Sequence, residues 1–336
     1  MMTDKKPHGN VALFVPHAGC PHQCSFCNQR HIAGSVGMPS AEEVQRTCEI
    51  ALKTLPKTAK AQIAFFGGSF TAIPRDDMIC LLEAAAPFVK SGAFAGIRVS
   101  TRPDAVDEEV LALLKNYGAT TVELGAQSMN DAVLARCHRG HTAAHVEAAA
   151  MLIKKAGVSL GLQMMTGLPE SSDAIDEQTA RALAALQPDE VRIYPTLVID
   201  GTPLAEEYRQ GKYTPQTLEQ AVNLCARLLR FFEEEQHIPV IRMGLHAEQD
   251  MAEHCLAGPF HPAFRELCEG RLYREKAWQL LTQHGQPQAV LRVHPTGVSK
   301  MVGHKKENIR YFEKAGYTVT ITADEQVLPR EIILGK

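Results

Sequence analysis

The sequence predicts an α/β fold: a partial (β/α)6 TIM-like barrel followed by a small C-terminal α+β unit. Short, nearly continuous apolar runs alternate with helical patterns, as expected of parallel strands covered by helices. A strand–helix unit that recurs about every 30 residues indicates right-handed βαβ crossovers. Six such units favour an open barrel, because a full eight-fold barrel would need more chain.

The predicted barrel strands are six apolar runs, and a further run is an optional seventh. In chain order they cover residues 11–15, 62–66, 96–100, 120–124, 158–165 and 190–198, with 238–244 as the seventh. Helical patterns lie between them. Ser40, with Glu43 three residues later, predicts a helix start. Two further helices end at Gly118 and Gly157, and residues 214–235 predict one long helix.

The pattern changes after residue 245, where the sequence becomes rich in His, Pro and Gly and loses clear periodicity. Turn residues then separate a small unit near the end of the chain. We therefore predict a barrel over residues 1–245, a connecting segment over 246–288 and a small αβ unit over 289–336.

Charge and hydropathy limit the partners of the protein. The formal net charge is −3, so any contact with nucleic acid must come from a local patch. No run approaches the ~18 apolar residues of a membrane span, and no signal-peptide core follows the N-terminus. We expect a cytoplasmic protein with no membrane partner. Its nine cysteines are then expected to be reduced thiols or metal ligands.

Three cysteines lie close together in HAGCPHQCSFCNQ, residues 17–29. Cys20, Cys24 and Cys27 have the spacing C-x3-C-x2-C. A structural metal site uses four protein ligands and a disulfide uses two, so three thiols on one loop predict a site with one open position. The loop follows the first predicted strand, at the edge where βα folds place their active sites.

The residues alone leave three interpretations of this loop open. Thiolates are the usual ligands of an iron–sulfur cubane, which three cysteines would leave with one open iron. A zinc ion could instead be bound by the three cysteines and His17, His22 or His31. The three thiols could also be unconnected core residues.

Polar residues and glycines near the ends of later strands are further candidates. Gly67 and Gly68, followed by Ser69, mark either close approach of the backbone to a ligand or a plain tight turn. Arg102 could bind a carboxylate or phosphate through its fork of donors, or pair with Asp104.

Two amides lie within otherwise apolar strands. Gln127 and Gln163 must be hydrogen-bonded there, either to a ligand or to neighbouring groups, and Gln127 is the stronger candidate for ligand contact. Gly167, two residues before Pro169, lets the chain turn away after the fifth strand.

The cysteine loop and the segments after it resemble the radical S-adenosylmethionine (radical SAM) superfamily. Its signature is C-x3-C-x2-C with an aromatic residue before the last cysteine, here Phe26. The resemblance covers residues 10–245 and continues, in order, through FFGGSFTAIP (65–74), STRPD (100–104), VELGAQSMND (122–131), RGHT (139–142), QMMTGLP (163–169) and IYPTLVIDGTPL (193–204). These segments look most like the radical SAM domain of the Elongator catalytic subunit, a tRNA-modifying enzyme.

The resemblance implies that Cys20, Cys24 and Cys27 hold a [4Fe–4S] cluster whose open iron binds SAM. A one-electron donor of the ferredoxin or flavodoxin type would reduce the cluster, and SAM would be cleaved to methionine and a 5′-deoxyadenosyl radical that takes a hydrogen atom from the substrate. The SAM site would include Gly67, Gly68, Ser69, Arg102, Gln127, Gln163 and Gly167.

The C-terminal unit predicts the order strand, short helix, loop, helix, strand over residues 289–323. This order resembles the KH-domain core, in which a G-x-x-G loop clamps a nucleic-acid backbone. The corresponding loop here is Gly303-His304-Lys305-Lys306, so that a lysine replaces the second glycine.

The same unit is basic. Residues 289–316 contain six basic and two acidic residues, a net charge of +4. We expect His304, Lys305, Lys306 and Arg310 to contact RNA phosphates, together with the backbone at Gly303. The alternative is an ordinary αβ appendage with a solvated basic face.

Three functions remain open on the sequence. The favoured one is a radical SAM enzyme that modifies RNA, with a tRNA base as its substrate. The second is a radical SAM enzyme acting on a small molecule such as a tetrapyrrole, since oxygen-independent coproporphyrinogen oxidase has a related cysteine loop. The third is a zinc-stabilised, non-catalytic RNA-binding protein. We expect no counterpart of Elongator's acetyltransferase domain.

Overall fold

The computed structural model of the protein describes residues 9–15, 20, 23–28, 37–55, 61–245 and 249–335. Its strands, in chain order, are β1 (Asn10–Val15), β2 (Gln62–Gly67), β3 (Ile97–Thr101), β4 (Ala119–Gln127), β5 (Ser159–Thr166), β6 (Glu190–Pro195), β7 (Val198–Ile199), β8 (Val240–Met243), β9 (Cys255–Ala257), β10 (Gln288–Val293), β11 (Thr318–Ala323) and β12 (Ile332–Leu334).

The α-helices cover the outer face of the barrel and build much of the C-terminal unit. In chain order they are α1 (Ala41–Thr54), α2 (Arg75–Lys90), α3 (Glu108–Asn116), α4 (Asp131–Arg136), α5 (Ala143–Lys155), α6 (Asp173–Ala185), α7 (Pro203–Arg209), α8 (Leu218–Arg230), α9 (Gln249–His254), α10 (Phe264–His284), α11 (Val298–Val302) and α12 (Glu307–Lys314). The predicted cap of α1 is confirmed, because the Ser40 hydroxyl accepts the Glu43 N–H at 3.2 Å.

The main sheet is parallel and has seven strands in the order β1-β2-β3-β4-β5-β6-β8. Successive strands are neighbours, as in a barrel, and the optional seventh strand is present. Residues of both edge strands, Phe14 on β1 and Arg242 on β8, line one cavity. The sheet is therefore curled, and the predicted partial barrel is confirmed.

Alternation along β1 shows how the sheet divides its two faces. Val11, Leu13 and Val15 are buried in the apolar core with Val44 of α1. Phe14, between two of them, faces the cavity instead. One face of the sheet thus packs against the helices through buried apolar side chains. The other face lines the cavity, where side chains can contact a ligand.

Two predicted element boundaries are wrong. The run 190–198 is not one strand: β6 ends at Pro195, and β7 pairs antiparallel with β9 outside the main sheet. The long helix begins later than residue 214, because the Thr217 hydroxyl caps it by accepting the Gln220 N–H at 3.2 Å. Its α-helical part ends at Arg230, and a π-helical turn follows over Phe231–Glu235.

The C-terminal unit is a three-stranded sheet covered by helices. β10 pairs parallel with β11 and antiparallel with β12, and α11 and α12 lie between β10 and β11 in the chain. This confirms the predicted order strand, helix, loop, helix, strand.

The 21-residue helix α10 packs into both hydrophobic cores. Its first half buries Phe264 and Cys268 in the core of the barrel, and its second half buries Ala277 and Leu281 in that of the C-terminal unit. The segment predicted as a connection therefore includes a helix shared by two cores, and the domain division stays a prediction.

Within the described residues, no helix combines the length and the hydropathy that crossing a bilayer requires.

Candidate active site

A cavity of about 640 Å³ lies on the inner face of the curled sheet. Nearly all the residues that the sequence singled out for the radical SAM site contribute to its lining, although they come from five separate segments. They are Cys20, Cys24, Cys27, Gly67, Gly68, Ser69, Arg102, Gln127 and Gln163. Gly167 is not among the lining residues.

The backbone ties the cysteine loop to neighbouring elements. Ser25 donates its N–H to the Cys137 carbonyl at 3.1 Å and accepts the Leu204 N–H at 2.8 Å. The Cys27 N–H donates to the Cys24 carbonyl at 3.1 Å, closing a turn. These bonds hold Cys24 and Cys27 against the cavity.

The three thiols share the cavity without forming a single-ion site. No three His, Cys, Asp or Glu side chains of the described residues are grouped so that one metal ion could bind them. The alternative ligands His17, His22 and His31 lie outside the described residues.

Arg139 contacts the cysteine loop and was not among the predicted site residues. One nitrogen of its guanidinium lies 3.0 Å from the Cys24 sulfur, and another donates to the Gly125 carbonyl at 2.7 Å. The side chain is buried, and its Nε has no hydrogen-bond partner among the described residues. The motif RGHT marked this segment, but the sequence did not show which thiol the arginine would reach.

The glycine pair places backbone beside the cysteines. Gly67 has φ +105°, a value that disfavours other residues, and the Gly68 N–H donates to the Val15 carbonyl at 2.7 Å. Burial and the neighbouring Cys24 raise the pKa of the Cys20 thiol, while an interaction with the backbone of Ser69 lowers it.

Arg102 is paired within the protein. Its guanidinium donates two hydrogen bonds of 2.9 Å to the carboxylate of Asp104, which was the local alternative to a ligand. It also donates to the Arg139 carbonyl at 2.7 Å. Burial opposes ionisation of Asp104, but the bonds from Arg102 lower its pKa overall. Arg102 therefore fixes the segment that carries Arg139.

The two glutamines differ in how they are satisfied. Gln163 donates to Glu123 at 3.2 Å. Gln127 follows a β-bulge and has φ +64°, and its buried side-chain oxygen accepts no hydrogen bond from the part of the chain that the structure describes. An unpaired buried acceptor at a cavity wall, in a strained backbone conformation, is typical of a ligand contact.

Gly167 lies at the end of β5 and is held by other side chains. Its N–H donates to Asp176 at 2.9 Å, and its carbonyl accepts the Tyr213 hydroxyl at 2.6 Å. Burial raises the pKa of Asp176 to about 6. These contacts shape the turn after β5.

A buried ion cluster lies on the inner face of the barrel. Glu123 accepts from Arg98 and, at 2.9 Å, from Arg192, and Arg98 also pairs with Glu190. Burial opposes the charge on Glu123, yet Arg192 and Arg98 lower its pKa. This cluster was not predicted from the sequence, although single charges within apolar runs such as GIRVS (96–100) and TTVEL (120–124) were a signal.

The KH-like loop is built as a tight backbone turn. Gly303 has φ +76°, and a side chain there would clash with Asn308, whose amide donates to the Gly270 carbonyl at 2.9 Å. Lys305 and Lys306 also adopt left-handed conformations, with φ of +49° and +61°. Lys306 thus has the backbone conformation that a glycine favours.

Part of the basic patch is neutralised by ion pairs. Lys300 pairs with Glu269 at 2.6 Å and Arg292 pairs with Asp324. Lys305, Lys306 and Arg310 are exposed and have no ion pair within the described residues. The charge available to a ligand is therefore concentrated at the loop and the helix after it.

Family models match most of the chain. A model described as "Radical SAM superfamily" matches residues 14–183, and one described as "Radical_SAM C-terminal domain" matches residues 188–274.

Two curated relatives illustrate the similarity. Over 256 residues, the chain is 36% identical to the tRNA uridine(34) acetyltransferase of Methanocaldococcus infernus, covering 64% of this chain and 48% of that protein. Over 208 residues, it is 31% identical to human Elongator complex protein 3, covering 54% of this chain and 38% of that protein. The chain spans at most about half the length of either relative.

Solved structures show the same fold. The Elp3 of Methanocaldococcus infernus with an N-terminal deletion superposes with a TM-score of 0.61 at 22% identity, covering 83% of this chain and 64% of that one. SuiB of Streptococcus suis bound to S-adenosylmethionine superposes with a TM-score of 0.53 at 14% identity, covering 77% and 55%. At these identities the likeness concerns the fold alone.

The superfamily model covers more than half of the 336 residues, and the matched region contains the three cysteines and strands β2 to β5, which contribute to the cavity wall. The chain belongs to the radical SAM superfamily and is an enzyme of that superfamily.

Proposed function

We propose that this enzyme binds a [4Fe–4S] cluster and SAM in the barrel cavity and uses them to modify RNA, with a tRNA base as the substrate. The observation that carries the proposal is the placement of Cys20, Cys24 and Cys27 on the wall of one cavity with the Gly67–Ser69 backbone. Each thiolate of such a cluster binds a separate iron, so the thiols need not converge on one point.

The residues around the cavity suit both groups. Thiolates are the ligands that iron–sulfur clusters use, and Cys20, Cys24 and Cys27 would supply three of them. The unpaired Gln127 oxygen offers an acceptor to a bound molecule. When bound, the cluster and SAM supply one electron and the carbon–sulfur bond whose reductive cleavage gives a 5′-deoxyadenosyl radical.

The protein's own residues orient and enclose the reacting groups. Arg139 places positive charge and a hydrogen-bond donor against the sulfur of Cys24, and would offset part of the negative charge of a cluster bound there. The backbone at Gly67 and Gly68 permits close approach of a ligand to the end of β2. The curled sheet and the aromatic side chains Phe14 and Phe66 on its inner face give this side of the cavity an apolar wall.

Two features support RNA as the substrate. Relatives at 36% and 31% identity are named for tRNA uridine(34) or the Elongator complex. The exposed Lys305, Lys306 and Arg310 form a basic patch on a protein with a net charge of −3, as expected of an element that holds a polyanion. A base that reacts inside the barrel must leave its stack, as in other base-modifying enzymes.

The proposal is tested by anaerobic reconstitution and incubation with SAM and a strong reductant, with and without total small RNA. We expect brown protein with about four irons per chain and 5′-deoxyadenosine formation that RNA stimulates. Colourless protein with one zinc per chain would contradict the radical chemistry. 5′-Deoxyadenosine formation that is indifferent to RNA would contradict the RNA substrate alone.

A further inference from the structure

Two arginines in the cavity wall, Arg139 and Arg242, form no ion pair with a carboxylate of the described residues. Arg139 is held by the Cys24 sulfur and the Gly125 carbonyl. The other three are paired: Arg98 with Glu123 and Glu190, Arg192 with Glu123, and Arg102 with Asp104.

Arg242 on β8 also lines the cavity and is half-buried, but it forms no ion pair with any described residue. Its one hydrogen bond to a described residue is from Nε to the Gly244 carbonyl, at 3.0 Å. The two terminal nitrogens of the guanidinium donate to none of the residues that the structure describes, which leaves them available to a ligand.

The position of Arg242 explains why its charge has no ion-pair partner among the described residues. It is paired in register with Arg192 on the neighbouring strand β6, and Arg192 is committed to Glu123 at 2.9 Å. Two guanidinium groups side by side repel each other, and partial burial adds a desolvation cost. A bound oxyanion would offset both the repulsion and the desolvation cost. The planar guanidinium of an arginine can donate two parallel hydrogen bonds to a phosphate or a carboxylate.

Aromatic rings lie on the opposite edge of the same cavity. Phe14 on β1 and Phe66 on β2 have ring centroids 6.5 Å apart, and both are half-buried and line the cavity. The guanidinium of Arg192 covers the ring of Phe66 at 5.0 Å. This wall offers apolar and π surface to a flat ring, which is the kind of contact that nucleobases make with proteins.

We propose that Arg242 is the anion-binding residue of a nucleotide subsite, holding a phosphate while the base contacts Phe14 and Phe66. The inference rests on the proposed function, because it assigns a substrate subsite within the same cavity. We favour phosphate over carboxylate as the bound anion because the aromatic rings in the same cavity suit the base of a nucleotide. With this subsite the barrel would contact RNA directly, independently of the KH-like loop.

The test uses uridine 5′-monophosphate and uridine as probes with the anaerobically reconstituted full chain and SAM. We expect the wild-type protein to bind the monophosphate about tenfold or more tightly than the nucleoside, as a charge-assisted bond to phosphate would give. Arg242→Gln should reduce this preference to about one and leave uridine affinity unchanged, whereas Arg242→Lys should keep part of it. Titration calorimetry measures the six dissociation constants, two for each of the three proteins.

Two further variants control the result. Arg46→Gln removes an exposed arginine of α1 and should change neither constant. Phe66→Leu should weaken both probes alike. Equal affinities of the wild-type protein for the two probes, or an unchanged preference in Arg242→Gln with a native thermal transition, would overturn the proposal. Tighter binding of the carboxylated tetrapyrrole coproporphyrin III than of the monophosphate would overturn the nucleotide assignment.

The outcomes separate this inference from the proposed function. If RNA stimulates 5′-deoxyadenosine formation but Arg242→Gln retains the phosphate preference, only the subsite is wrong. If RNA has no effect on 5′-deoxyadenosine formation, the RNA substrate in the proposed function is wrong, and the probe affinities still report whether Arg242 binds phosphate.

Discussion

The guanidinium of Arg139 lies 3.0 Å from the sulfur of Cys24, and both side chains are buried. A second nitrogen of the same group donates to the Gly125 carbonyl, and the Arg139 carbonyl accepts from Arg102. The arginine is thus fixed at three points. A cation held against a ligand sulfur favours the more reduced, more negative state of a cluster, so Arg139 would raise the reduction potential of the cluster that we propose for this site.

Arg139→Gln should shift the midpoint potential of the reconstituted cluster to more negative values. The variant removes a positive charge and a hydrogen bond to a ligand sulfur, both of which stabilise the reduced cluster. Redox titration followed by electron paramagnetic resonance measures the shift. Arg46→Gln removes an exposed arginine and serves as the control. A potential equal to that of the wild-type protein would show that the contact does not act on the cluster.

Cys24→Ser should abolish both cluster binding and SAM cleavage, because a serine hydroxyl is a poor ligand for iron–sulfur clusters and the loop offers no spare thiol. Iron and sulfide content, together with 5′-deoxyadenosine formation, measure the loss. Cys80→Ser alters an exposed cysteine of α2 and should retain full iron content. Turnover by Cys24→Ser would refute the assignment of this residue as a ligand.

The sequence was sufficient to predict the barrel, because its signal is repeated in every unit. Each apolar run had to be a strand covered by helices, and the seventh run behaved as the first six did. The boundaries were harder to predict. The end of β6 at Pro195 depends on β7 leaving the sheet to pair with β9, a contact between segments far apart in the chain.

The site was predicted in part. The cysteine spacing and the order of the motifs predicted residues that the structure places around one cavity. They did not show which polar groups form hydrogen bonds or ion pairs with one another. Arg102 is committed to Asp104, and the ion cluster around Glu123 was missed because its members lie on separate strands, each as a single charge in an apolar run. The partnerships around Glu123 depend on which residues of separate strands lie side by side, and an isolated charge in an apolar run does not show that.

Glu123→Gln should destabilise the protein by about 3–5 kcal/mol, the usual cost of removing one partner from a buried ion pair. The change leaves Arg98 and Arg192 facing a neutral amide in a place where Glu123 is 1% exposed. Urea denaturation measures the loss. Glu109→Gln breaks an ion pair to Arg75 at the surface and should have little effect. Equal urea midpoints for Glu123→Gln and wild type would show that the buried cluster contributes no net stability.

Replacing Lys305 and Lys306 together by Glu should weaken binding of small RNA and flatten its dependence on salt, because fewer counterions are released. Filter binding between about 50 and 200 mM salt measures both effects. The matched control replaces Lys53 and Lys90, exposed lysines of α1 and α2, and changes the net charge equally. If both double variants lose the same affinity, the effect belongs to overall charge and the KH-like loop has no special role.

Asp176 should make stability depend on pH in a direction opposite to that of most carboxylates. Burial raises its pKa in the folded protein to about 6, above the ordinary 3.8, so the folded state binds the proton more tightly than the unfolded state does. The stabilisation from this group is complete below about pH 4 and is lost as pH rises through 6; a difference of about two pKa units corresponds to about 3 kcal/mol.

Asp176→Asn keeps an acceptor for the Gly167 N–H and removes the titration. The free energy of unfolding of the variant, relative to wild type, should therefore increase between pH 4 and pH 7, as measured by urea denaturation at several pH values. Asp76→Asn, at an exposed position of α2, should give a flat difference over the same range. Parallel profiles for Asp176→Asn and wild type would mean that the carboxyl is solvated, and that the turn at Gly167 is held without a buried proton.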